Sequence, residues 1–185
     1  MSFQLDSFAG STMIDLKMVG TFNVYNTLAA IAASLAEQIP IQAIQKALKN
    51  FKGVSGRMEL IDQGQDFLAI VDYAHTPDGL ENILSTIKGF ALKKVIAVFG
   101  CGGDRDRKKR PIMGEIASKY SDFVIVTSDN PRTEDSDQIL KDIEEGLTHK
   151  RYELVKDRRL AISKAVSLAE KDDVLVIAGK GHETY

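Results

Sequence analysis

Two rhythms of apolar residues divide the chain. Over residues 1–19 apolar side chains alternate weakly with polar ones (Phe3, Leu5; Met13, Ile14, Leu16, Met18) around Ala9-Gly10-Ser11. That pattern predicts a short hairpin. Val24, Leu28, Ile31 and Leu35 then recur at helical spacing, and Ile41, Ile44, Leu48 and Phe51 repeat it after Pro40. Two amphipathic helices are expected. A hairpin and two helices offer too little to bury their own faces, so residues 1–54 read as the end of a larger domain.

From Gly53 the pattern changes. Gly56–Ile61 and Asp66–Val71 flank a polar Gln63-Gly64-Gln65 turn. Strand-like runs follow at Leu68–Val71, Val95–Phe99, Phe123–Thr127, Tyr152–Val155 and Val174–Ala178, separated by helix-like segments near 77–89, 111–120, 136–148 and 157–171. Pro77 and Pro111 stand where a first helical turn tolerates proline, and Asp135 or Ser136 suits an N-cap. The strands are continuous Val/Ile runs, as expected when helices cover both sheet faces. The predicted class is α/β: a Rossmann-like, mainly parallel, doubly wound sheet over 55–185 with right-handed crossovers and flanking helices, preceded by a small α/β remnant over 1–54.

Composition narrows the function. The 185 residues are 44% hydrophobic and 27% charged, the balance of a globular protein. No stretch approaches the roughly 20 apolar residues of a membrane span, and MSFQLDSFAG has neither the basic nor the apolar region of a secretion signal. No membrane partner is expected. A single cysteine, Cys101, excludes an intramolecular disulfide framework and fits a reducing cytoplasm. A net charge of −2 argues against a general nucleic-acid binder. Yet Arg105, Arg107, Lys108, Lys109 and Arg110 crowd together, diluted only by Asp104 and Asp106. Such a run is either a solvated loop or an anion site, and its position decides.

Open α/β sheets bind ligands beyond the carboxyl ends of their strands. Those ends read Asp72-Tyr73-Ala74-His75, Gly100-Cys101-Gly102-Gly103-Asp104-Arg105-Asp106, Ser128-Asp129-Asn130-Pro131-Arg132 and Gly179-Lys180-Gly181-His182-Glu183. The adjoining helix N-termini favour anions, whereas the opposite edge (Lys93-Lys94, Lys171-Asp172-Asp173) is ordinary charged turn. The basic run therefore lies on the ligand edge. Gly100-Cys-Gly-Gly is not a dinucleotide fingerprint, because Arg105 stands where glycine is needed, and no Gly-x-x-x-x-Gly-Lys-[Ser/Thr] occurs. Asp72/His75 and His182/Glu183 lack zinc-ligand spacing, so no metal site is assigned. Cys101 reads as a small buried thiol. Asp129-Asn-Pro-Arg reads either as a plain turn or as a rigid presentation of Asp129, Asn130 and Arg132, whose arginine fork suits a carboxylate. Gly179-Lys-Gly-His-Glu reads either as a strand exit or as backbone approaching a ligand while Glu183 meets an ammonium group.

On these motifs the chain closely resembles the Mur ligases, specifically their UDP-N-acetylmuramoyl-tripeptide synthetase branch. The matching segments are Gly20-Thr-Phe-Asn-Val-Tyr-Asn26, Gly56-Arg-Met-Glu59, Val71-Asp-Tyr-Ala-His-Thr-Pro-Asp78, Phe99-Gly-Cys-Gly-Gly-Asp-Arg-Asp106, Lys109-Arg-Pro111, Asp129-Asn-Pro-Arg132 and Gly179-Lys-Gly-His-Glu183. The resemblance implies an enzyme of three domains that uses ATP and Mg2+ to activate the carboxylate of a UDP-MurNAc-dipeptide (UDP-MurNAc-L-Ala-D-Glu) and joins it to an incoming amino acid. It implies that 1–54 ends the central ATPase domain and that 55–185 is the C-terminal domain, cut short at its end. The N-terminal domain, the rest of the central one, the phosphate-binding loop and the magnesium ligands would lie outside the chain, which alone would be inactive and carry no catalytic residue of its own. Asn23, Asn26, Arg57, Asp72, Tyr73 and His75 resemble the family's residues around ATP. Arg105, Asp129, Asn130, Arg132, Gly179 and Glu183 resemble its amino-acid pocket. Arginine ending Asp-Asn-Pro-Arg goes, in the family, with meso-diaminopimelate. A non-catalytic small-molecule-binding module, or another Mur or folylpolyglutamate-type ligase, remains the alternative.

Overall fold

The computed structural model describes residues 1–148 and 151–183, which form two compact units, Met1–Val54 and Ser55–Tyr185.

In the first unit β1 (Ser2–Ser7) and β2 (Gly10–Asp15) pair antiparallel, with Phe8-Ala9 as the turn and Gly10 already in the second strand. Helices α1 (Thr21–Ala36) and α2 (Ile41–Asn50) follow, the second starting directly after Pro40. The expectation that this segment cannot bury its own faces needs correction. Leu5, Ile14 and Leu16 from the hairpin close over Ile31, Leu35 and Ile44 from the helices, and Ile14 is wholly buried. The alternation of the hairpin and the spacing of the helices meet on one small core. Phe8 and Tyr25 nevertheless stay 87% and 70% exposed.

The second unit is a six-stranded sheet in the order β3-β4-β8-β5-β6-β7. Its strands are β3 (Glu59–Ile61), β4 (Leu68–Asp72), β5 (Val95–Phe99), β6 (Phe123–Val126), β7 (Tyr152–Leu154) and β8 (Val174–Ala178). Only the short edge strand β3 is antiparallel, paired to β4 through the Gln63-Gly64-Gln65 hairpin. The other pairings are parallel. Three connections advance across the sheet through α3 (Pro77–Lys88), α4 (Lys109–Tyr120) and α5 (Ser136–Glu144), which pack against one another. The last, α6 (Arg158–Leu168), runs back and delivers β8 between β4 and β5. A return path needs a helix on the opposite face if every crossover is right-handed. There Ala161 and Ala165 of α6 meet Ile96, Val98, Ile125 and Leu175. The remaining strand positions alternate to the other face, over which α3, α4 and α5 bury Leu80, Leu84, Met113 and Ile139.

Capping fixes where the helices begin. Thr76 Oγ1 accepts from Gly79 N ahead of Pro77, Asp135 rather than Ser136 caps α5, and Asp157 caps α6. Helix α5 stops at Glu144, short of the expected 148, as the chain enters Gly146. A Cβ at Gly146 would lie 1.8 Å from Pro111 O, so the backbones of α4 and of this turn touch where only glycine fits.

Candidate functional site

Four loops leave the carboxyl ends of β4, β5, β6 and β8 on one edge. They enclose a cavity of about 340 Å³ lined by Tyr73, His75, Thr76, Gly102, Arg105, Asp106, Lys109, Asp129, Asn130, Arg132, Gly179 and Glu183. All six residues assigned from sequence to the amino-acid pocket line it, as do Tyr73 and His75 from the nucleotide set. Arg105 projects from an exposed loop, and Arg132 donates through Nη1 to Gly103 O at 2.7 Å. Among the described residues its Nε and Nη2 edge has no protein partner. Asp129 is nearly buried, with Lys180 Nζ 3.9 Å away. Lys180 also donates to Asn130 Oδ1 at 2.7 Å, and Asn130 Nδ2 to Glu183 at 3.5 Å. The lining thus combines the cations Arg105, Lys109 and Arg132 with the carboxylates Asp106, Asp129 and Glu183 and the Asn130 amide. That arrangement suits a ligand carrying both carboxylates and ammonium groups.

A second cluster adjoins the mouth. The Arg57 guanidinium lies 4.1 Å over the Tyr73 ring, while His75 meets that ring edge-on at 4.8 Å and His182 lies 5.6 Å from it. Tyr73 thus carries a cation over its face and a second ring against its edge. Asp72 builds its footing. One carboxylate oxygen accepts from Met58 N and the other from Ala74 N, both at 2.7 Å. Gly56, at φ +68°, packs so closely that a Cβ would lie 2.2 Å from His182 N. Hence β3 begins at Glu59 and not at the expected Gly56, residues 55–58 being a turn shaped around that approach. Asn23 and Asn26 lie one turn apart on α1 in the first unit. Asn23 Nδ2 donates to Val19 O at 2.8 Å, and Asn26 is exposed.

The sequence profile described as "Mur ligase, glutamate ligase domain" matches residues 56–181, more than half of the chain. The chain belongs to the Mur ligase family. A UDP-N-acetylmuramoyl-L-alanyl-D-glutamate–2,6-diaminopimelate ligase from Syntrophomonas wolfei is 56% identical over 187 residues, covering 100% of this chain and 38% of that protein. The ligase of the same name from Oceanobacillus iheyensis is 54% identical, with 99% and 38% covered. A solved structure of such a ligase superposes with a TM-score of 0.70 at 44% identity, again over 100% and 38%. The Mycobacterium tuberculosis folylpolyglutamate synthase complexed with ADP shares the fold, with a TM-score of 0.76 at 21% identity. This Mur ligase chain therefore spans about 38% of the length of the curated relatives it matches.

Several residues of this Mur ligase site are not apparent from sequence. Arg158, the first residue of α6, donates to Ala178 O at 2.9 Å and to Ser128 O at 3.4 Å, tying the ends of β8 and β6. Burial pulls its pKa down while Asp129 and Glu183 partly restore it. Lys109, quoted only as part of a motif, donates to His75 O at 2.9 Å and so joins the two clusters. Cys101 is buried with Sγ 3.6 Å from Met113 Sδ, and burial pushes its thiol up to about 11. No group of three or more potential metal-ligating side chains gathers among the described residues, and no helix there is long and apolar enough to cross a membrane.

Proposed function

We propose that the chain is the C-terminal part of an ATP-dependent ligase that adds meso-diaminopimelate to UDP-MurNAc-L-Ala-D-Glu in the cytoplasm, and that its cavity receives the incoming amino acid. The carrying observation is the 340 Å³ cavity lined together by Arg105, Arg132, Asp129, Asn130 and Glu183. Diaminopimelate has two carboxylates and two ammonium groups, and that lining offers each charge an opposite. The names of the relatives support the same substrate. The first unit is read as the end of the central ATPase domain, with the remaining domains supplied by the rest of the protein.

The Arg57 guanidinium and the Tyr73 and His75 rings offer cation–π and stacking partners to a purine, so these residues would hold the adenosine of ATP, with Asp72 bracing the backbone on either side of them. Asn23 and Asn26 of the first unit are read as ATP-binding from the family resemblance alone. When bound, ATP supplies the phosphoryl group that activates the acceptor carboxylate. The phosphate-cradling loop and Mg2+ ligands are assigned to residues outside this chain, which contains no Gly-x-x-x-x-Gly-Lys-[Ser/Thr].

The test is calorimetric titration of the chain with meso-diaminopimelate and with L-lysine, for wild type and Arg132→Ala. Lysine lacks one carboxylate and leaves an arginine unmatched. Diaminopimelate should bind more tightly, and Arg132→Ala should remove about 2 kcal/mol of its binding, roughly thirtyfold, at the low end for a charge partner because Arg132 is exposed. Equal binding of the two ligands, or an unchanged ratio in the variant, sinks the substrate assignment.

A further inference from the structure

Beneath the cavity, the loop after β5 and the loop after β6 are laced by contacts that do not line it. Glu134 is their centre. Its Oε1 accepts from Asp104 N at 2.6 Å and from Arg110 Nη2 at 2.8 Å. Its Oε2 accepts from Arg110 Nη1 at 3.1 Å and lies 2.9 Å from Arg107 Nη2. Arg110 is fully buried and reaches on to Asp142 at 2.7 Å. Around this fork the loops meet directly. Gly103 N donates to Asn130 O at 2.9 Å, and Thr133 donates from Oγ1 and N to Asp104 at 2.6 and 3.2 Å.

Two non-glycine residues here hold left-handed backbone: Asp104 at φ +54° and Arg132 at φ +52°. Such conformations persist where the surroundings over-determine them. Asp104 immediately precedes Arg105, and Arg132 lies two residues before Glu134. The lacing therefore dictates where both cavity arginines leave the backbone. Arg110 Nε, moreover, is buried without a partner among the described residues. A buried ion pair is weak evidence for stability, weaker still with an unmatched donor, so what the fork positions is the better account of it.

We propose that Glu134 is a positioning residue that sets the separation of Arg105 and Arg132, and through it the preference for a ligand with two carboxylates. This rests on the amino-acid reading of the cavity. A ligand with two carboxylates engages both arginines only at one spacing, whereas a single-carboxylate ligand tolerates a shift of either. A displacement of about 1 Å away from the chemistry is enough for a large loss.

The experiment titrates the chain with meso-diaminopimelate and L-lysine for wild type, Arg132→Ala, Glu134→Gln, Glu134→Asp and Thr133→Val, with amide spectra confirming that β5 and β6 are intact. Glu134→Gln should weaken diaminopimelate roughly tenfold and lysine little, so the ratio of the two affinities collapses. Glu134→Asp, which keeps the charge, should recover part of it. Thr133→Val, an exposed change, should shift the ratio in the same direction and decides the matter if Glu134→Gln fails to fold. A ratio unmoved by Glu134→Gln and Thr133→Val while Arg132→Ala abolishes it overturns the positioning role and leaves the cavity reading standing. A wild type that does not discriminate overturns both.

Discussion

At the scale of single residues, Gly56 carries the sharpest steric demand beside the site, combining left-handed backbone with close approach to His182 N. Gly56→Ala should cost about 2 kcal/mol or more in urea unfolding. A loss below half of that would mean the turn re-forms without strain. Cys101 answers a different question. With its thiol pushed up to about 11 by burial, almost no thiolate exists near pH 7.5. Native protein should react slowly with a thiol-specific disulfide reagent, and urea-unfolded protein quickly. Because the folded value is the raised one, this thiol's contribution to stability persists below the ordinary thiol range and is lost as pH climbs through about 11. The sequence pointed to most of the cavity lining, because strand ends are set by the apolar runs and the ligand edge follows from them. It did not point to Arg158 or Glu134. Their partners lie 20 to 30 positions away, at Ala178, Ser128, Asp104 and Arg110, and no periodicity reports such pairs.

At the scale of elements, Arg110 joins α4 to α5 through Asp142 and to the preceding loop through Glu134. Burial pulls the guanidinium's pKa down, but the hydrogen bonds to Glu134 and Asp142 and the charges of both acids together hold it above its ordinary value. Arg110→Met leaves Asp142 without its cation and Glu134 with only the exposed Arg107, and should cost about 3 kcal/mol, the low end for breaking a buried pair. Hydration of the two acids explains that end, since their side chains keep 10% and 18% exposure. Thermal melts across pH supply a second reading. Arg110 and the Asp104 amide hold Glu134 down to about 2, so its contribution is complete above the ordinary glutamate range and lost as pH falls toward 2. Glu134→Gln should therefore flatten the acid limb of the stability profile. A limb of unchanged steepness would assign acid unfolding to other carboxylates. Most elements were legible from the apolar rhythm, but several ends were not. Helix α5 yields at Glu144 to a contact with Pro111, and β3 is shortened by the turn around Gly56. Both limits are tertiary contacts that local patterns cannot carry.

At the scale of the whole molecule, the division into two units after Val54 has a direct test. Each unit has its own buried cluster, and Phe51 and Val54 are exposed at the junction. Limited chymotrypsin digestion should cut near Phe51 first and leave a fragment beginning near Ser55 that still unfolds cooperatively. Early cutting inside 95–126 would contradict this. The chain should also show no ATP turnover above background, because its sequence contains no Gly-x-x-x-x-Gly-Lys-[Ser/Thr] loop for the transferred phosphates. The class of sheet was readable from the strand–helix alternation. The order of its strands was not, since any right-handed arrangement satisfies the same pattern.

That order has a consequence in time. The last of the described strands in chain order, β8, is the one that occupies the gap between β4 and β5, bonded to both along its length. Until residue 178 has left the ribosome, the first two parallel strands have nothing to hold to each other, and their edges stay open to other nascent chains. The unit must wait, and contacts this distant in sequence slow its closure further. Without β8 the described sheet is two separate halves, β3–β4 and β5–β6–β7, whose facing edges have no partner.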